Sequence, residues 1–135
     1  SSLIEQQYHN QSFWKRSNDS NANYDLKTNP VGKRNILTIH GTADRVVPYE
    51  GGMRGRNAKH ISAQETDYAW AQQQGFAGNR IPGNAGKPLN KDIIRYNYPE
   101  AQVTHLKVLN GGHGFGPVSR QVNEVVRDFI QSNLR

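Results

Sequence analysis

The chain has 135 residues, with 17 Lys plus Arg against 11 Asp plus Glu, 34% hydrophobic residues and no Cys. That length suits one domain with a thin apolar supply; a disulfide framework and a cysteine-bearing zinc site are excluded, and no run approaches the ~18 apolar residues of a membrane-spanning helix. The net charge of +6 is dispersed, with no basic run beyond Lys15-Arg16 and Lys33-Arg34, so neither a nucleic-acid partner nor a membrane partner is expected.

Ser1-Ser2-Leu3 carries no initiator Met, basic n-region or apolar h-region, and the chain reads as a processed product or a fragment. Residues 1–34 form a polar lead-in segment, partly loop. Leu3, Ile4, Tyr8, Phe13 and Trp14 dot it at a spacing suited to a short helix. Asn18 to Pro30 reads as loop, because short polar side chains compete for backbone hydrogen bonds. Asn10-Gln11-Ser12 and Asn18-Asp19-Ser20 match the glycosylation sequon, a common chance match where Asn is frequent.

The pattern sharpens over residues 35–135. Ile36-Leu37-Thr38-Ile39-His40 is a short apolar run bounded by Gly41 and suits a buried strand. Thr42-Ala43-Asp44 and the extended Val46-Val47-Pro48 follow as a loop that also carries Arg54, Arg56 and Lys59, read as a solvated face. Ser62-Ala63-Gln64-Glu65 is a capping box, opening a helix to about Gln74 that Gly75 stops. Gly78 to Asn90 is a Gly/Pro/Asn loop. Ile93–Tyr98 and Val103–Leu109 alternate and are joined by Pro99-Glu100-Ala101-Gln102, which predicts a β-hairpin. Asn110 to Gly116 is a loop, and Val122, Val125, Val126, Phe129, Ile130 and Leu134 keep helical spacing to the end.

The order is strand, loop with an acid, helix, hairpin, loop with a histidine, helix. In an open α/β sheet, functional groups gather beyond the carboxyl ends of the strands. Asp44 and His113 both lie there, and a carboxylate beside an imidazole fixes its tautomer for proton transfer from a nucleophile. His40 reads as a packed or hydrogen-bonded strand-end residue, and Trp70 as core. His9, His60 and His105 show no partner spacing, and the clusters a metal needs are missing. Gly112-x-Gly114-x-Gly116 is not a dinucleotide fingerprint, since the third glycine of that pattern falls on Pro117.

Residues 36–52, Ile-Leu-Thr-Ile-His-Gly-Thr-Ala-Asp-Arg-Val-Val-Pro-Tyr-Glu-Gly-Gly, resemble the acid-bearing segment of α/β-hydrolase esterases. The group they resemble is the polyhydroxybutyrate depolymerases and feruloyl esterases, whose pattern is HGTxDxVVPYxGG. Asn110-Gly111-Gly112-His113-Gly114-Phe115 resembles that group's histidine loop, with Phe115 where Trp is usual. Gln74-Gly75-Phe76 occupies the place where secreted members often carry Cys. The likeness covers about residues 35–130.

The resemblance implies an α/β fold, the C-terminal portion of an α/β-hydrolase with a mainly parallel sheet. It implies a serine-type carboxylic ester hydrolase acting on a small-molecule or polymeric ester, secreted or periplasmic, with no cofactor and no metal. Asp44 would be the triad acid and His113 the triad base. The nucleophile of this fold sits on a Gly-x-Ser-x-Gly turn, and the chain contains no such pentapeptide. The expected partner is therefore an upstream half of the same protein, or a companion chain, carrying the nucleophilic Ser; the isolated chain is expected to be inactive. The alternative is a non-catalytic, truncated hydrolase-like module for binding or assembly, with Ile36–His40 as an exposed sheet edge that pairs with another chain.

Overall fold

The computed structural model describes residues 4–5, 13–15, 26–28, 31–54 and 58–134. The elements in chain order are β1 (Ile4–Glu5), β2 (Phe13–Lys15), β3 (Leu26–Thr28), β4 (Ile36–Gly41), β5 (Gly52–Arg54), β6 (Ala58–His60), α1 (Ala63–Gln73), β7 (Lys87–Pro88), β8 (Ile93–Tyr98), β9 (Val103–Val108) and α2 (Ser119–Asn133).

The main sheet has four strands in the order β4-β9-β8-β7. β4 and β9 are parallel, with Ile36 opposite Val103 and Gly41 opposite Val108. β8 and β9 form the expected antiparallel hairpin, closed by a 3₁₀ turn over Pro99–Ala101 with Gln102 in the left-handed region. β7 adds antiparallel to β8. The fold is mixed α/β, and the expectation of a mainly parallel sheet is corrected: one pair of the three is parallel. A hairpin forces antiparallel pairing, whereas only the crossover through α1 brings β4 and β9 parallel.

Strand alternation sends side chains to opposite faces, and a helix covers each. On one face Ala71 of α1 packs with Tyr98, Ala101 and Val103, joined by Ile36, Tyr68, half-buried Trp70, Phe76 and Ile81. On the other, Val122 of α2 packs with Ile93, Leu106 and Val108, joined by Leu37, Ile39, Val125 and Val126. α1 starts as its sequence dictates: Ser62 Oγ accepts the Glu65 N–H at 3.2 Å. It ends at Gln74, with Gly75 at φ +95 taking up the left-handed turn. The apolar stripe of α2 outruns the sheet, leaving Ile130 50% and Leu134 78% exposed.

Small sheets surround this frame. β1, β6 and β5 pair in that order, and β2 pairs with β3. The short helix expected near Ile4, Phe13 and Trp14 is replaced by strand at those positions, and Leu26–Thr28 is strand inside the expected loop. Cross-strand pairing overrode local propensity there. Arg54 and Lys59 likewise sit in β5 and β6 rather than in a loop. Leu3, Tyr8, His9, Arg56 and both sequons lie outside the described residues.

A buried polar cluster ties the α1 face together. His105, fully buried on β9, has Nδ1 2.8 Å from Thr38 Oγ1, and its Nε2 is 2.9 Å from the Tyr49 hydroxyl. The Thr38 hydroxyl donates to Asp67 Oδ1 of α1. Asp67 Oδ2 stands 2.8 Å from Nδ1 but has no hydrogen bond of its own, since the ring proton faces Thr38. His105, for which the sequence shows no partner spacing, thus finds its partners at long range. Positions 38, 49, 67 and 105 share no local spacing: the parallel register of β4 and β9 sets Thr38 opposite His105, and the loop after β4 and α1 bring Tyr49 and Asp67 to them.

Candidate active site

The site lies at the carboxyl ends of the parallel pair. β4 runs into the loop 42–51 and β9 into the loop 109–116, and the two loops are laced by backbone. Ala43 N–H donates to Gly111 O at 2.9 Å, Thr42 N–H to Val108 O at 2.9 Å, and Asn110 N–H to Thr42 Oγ1 at 2.8 Å. Gly41 is required by this approach. A Cβ there would stand 2.1 Å from the Gly111 carbonyl oxygen, far inside contact distance.

Asp44 and His113 meet across this seam. Asp44 Oδ2 lies 2.9 Å from His113 Nδ1, although 69 positions separate them. This falls within the 2.6–3.2 Å expected of an acid orienting a base. Asp44 Oδ1 accepts the N–H groups of Val46 at 2.8 Å and Val47 at 2.9 Å. Such Asx turns are what a short carboxylate makes with the backbone beyond it. The Asp44 side chain is 6% exposed and that of His113 is 62% exposed. The acid is therefore fixed inside the wall, and the imidazole stands out from it.

Burial pushes the Asp44 carboxyl up, but the hydrogen bonds from Val47, His113 and Val46 outweigh it. The group titrates below the ordinary carboxylate range. An ionised Asp44 holds the His113 Nδ1 proton in place and leaves Nε2 as the acceptor of a largely exposed imidazole. That is the arrangement a general base needs.

A hollow of about 130 Å³ opens beside the pair, lined by Ile39, His40, Asp44, Val47, His113 and Phe115. Phe115 holds φ 62 in the left-handed region, rare for a bulky residue. Its side chain packs against the α2-side cluster, so the histidine loop is anchored by a strained aromatic. A larger groove of about 530 Å³ runs along the outer edge of β4, past Val31, Arg34, Ile36, Leu37, Trp70 and Gln74. Among the described residues β4 is paired on one side only.

His40 is 3% exposed, as a hydrogen-bonded strand-end residue should be, with Nε2 2.8 Å from the Val47 carbonyl. The backbone donors of Val46 and Val47, the Thr42 tether and the Gly41–Gly111 approach were not singled out from the sequence. The Gly41-Thr42-Ala43-Asp44 spacing was the signal that held them. Among the described residues no group of acids and histidines has metal-binding geometry. Comparison of the chain with family models, with curated proteins and with solved structures finds no match.

Proposed function

We propose that the chain supplies the acid and the base of a serine-type carboxylic ester hydrolase. The observation that carries this reading is the 2.9 Å contact of Asp44 with His113 at the ends of neighbouring parallel strands. Asp44 orients His113 and stabilises its imidazolium; His113 takes the proton from a seryl hydroxyl as that oxygen attacks the ester carbonyl, then returns it to the leaving alcohol. The Ser belongs to an upstream half of the protein or to a companion chain, because no Gly-x-Ser-x-Gly turn occurs in the 135 residues. Support also comes from the motif around Asp44, which resembles the depolymerase and feruloyl esterase pattern, and from the outward-facing His113. The substrate is an ester, small or polymeric.

The test is turnover of p-nitrophenyl acetate. The chain alone is expected to match its His113→Ala variant. Adding a polypeptide that carries the Gly-x-Ser-x-Gly half of such a hydrolase is expected to produce turnover that Asp44→Asn and His113→Ala each abolish. Turnover by the chain alone that depends on both residues would place the nucleophile within it and remove the partner. No turnover from the completed protein would favour the second reading, an assembly module, for which the open edge of β4 speaks.

A further inference from the structure

The side chain next to the acid that the ester-hydrolase chemistry leaves unused is His40. It shares its face of β4 with Thr38 and lies beside Tyr49, whose ring centroid is 5.5 Å away. Its Nε2 is 2.8 Å from the Val47 carbonyl and 3.5 Å from Asp44 Oδ2. Both neighbours are acceptors, so Nε2 carries the proton. Its Nδ1 is then an acceptor, buried and with no hydrogen-bond partner. Leaving a buried acceptor unpaired is costly, and a leucine or phenylalanine would fill the same space without that cost. The unpaired Nδ1 is offset only through Nε2–H, which holds the Val47 carbonyl and faces Asp44.

That use is geometric. Val47 binds Asp44 Oδ1 through its N–H and His40 through its carbonyl, so one residue of the turn is held from both sides. The same Nε2–H faces Oδ2, the oxygen that His113 also uses. We propose that His40 is a positioning residue: its Nε2–H locks the Asp44 turn so that Oδ2 stays aligned on His113 Nδ1. The proposal rests on the reading of Asp44 and His113 as a working pair. Burial lowers the His40 pKa from its ordinary value, the Val47 carbonyl offsetting part of the shift.

The tautomer of His113 reports the alignment without any need for turnover. Its ratio of Nδ1–H to Nε2–H is read from ¹⁵N chemical shifts of the chain above the imidazole titration. Nδ1–H is expected to dominate in the wild type, and Asp44→Asn is expected to abolish that preference. His40→Phe, which keeps a ring but no donor, is expected to lower the ratio roughly fivefold, the change that loss of one ordinary hydrogen bond produces. His40→Gln, whose amide N–H extends to the place of Nε2, is expected to restore most of it. An unchanged ratio in His40→Phe, with Asp44→Asn still effective, overturns the role of His40 and leaves the pair standing. Equal losses in the Phe and Gln variants overturn it too, since packing would then explain both. No effect of Asp44→Asn removes the pair and His40 with it. If His40→Phe fails to fold, the wild-type spectrum still decides: His40 itself must be Nε2–H, and an Nδ1–H tautomer there overturns the proposal.

Discussion

Asp44, its side chain 6% exposed, accepts from two backbone N–H groups and one imidazole, with a second imidazole at 3.5 Å. Asp44→Ala removes the acceptor for all of them. The Val46 N–H is exposed and water can take it, whereas that of Val47 is partly buried, so the expected loss is about 1–2 kcal/mol, checked by urea denaturation at pH 7. The pH dependence follows from two groups. His40 titrates below its ordinary 6.5 because of burial, so the unfolded chain takes protons that the fold refuses. Its contribution to stability is complete above 6.5 and is lost as pH falls through that value toward the lower folded pKa. Asp44 titrates below its ordinary 3.8, so its contribution is complete above 3.8 and disappears as pH falls through the folded value. Stability measured from pH 7.5 to 3 should therefore fall in two steps. The upper step should be missing in His40→Phe, and its persistence there would assign it to another group.

At the scale of elements, the strand β4 and the loops after β4 and β9 act as one unit. Gly41 and Gly111 let the backbones touch, and the three hydrogen bonds from the two loops across the seam hold Asp44 against His113. Gly41→Ala places a methyl against a backbone oxygen, which cannot swing away as a side chain would. The expected cost is about 1–3 kcal/mol, the range for overpacking, together with loss of the His113 Nδ1–H tautomer. Gly112→Ala, at a position with open space and an ordinary φ, is the matched control and should change neither. Thermal melts and the His113 ¹⁵N shifts of the two variants separate crowding at the seam from a general effect of losing a glycine.

For the whole molecule, the open edge of β4 is the decisive feature. Its outer N–H and C=O groups lack strand partners among the described residues, and α2 carries apolar residues past the sheet. Unpaired backbone groups that become buried cost about 1–3 kcal/mol each, against a total of about 5–15 kcal/mol for a domain. The folded chain alone is expected to associate in sedimentation through this edge and to become monomeric once the β4 edge is covered. A cooperative monomeric melt of the chain alone above about 45 °C, within the ordinary range, would show that it needs no covering partner.

Local chemistry in the sequence determined much of this. The Ser62 cap and Gly75 stop of α1, the hairpin around Pro99–Gln102, the strand before Gly41 and the amphipathic α2 were all legible. Each depends on residues a few positions apart, where propensity and periodicity act directly. The spacing of Asp44 and His113 after their strands was legible too, as a pair that a sheet could bring together. What the sequence left open was set by pairing over long distances. Lead-in strands formed in place of a helix because other strands were there to receive them. The sheet became mixed because β7 and the hairpin added antiparallel to a single parallel pair. His105, Thr38, Asp67 and Tyr49 became a network, and His40 came to face both Val47 and Asp44. Burial and cross-strand register give those side chains their partners, and neither is a property of any short stretch of chain.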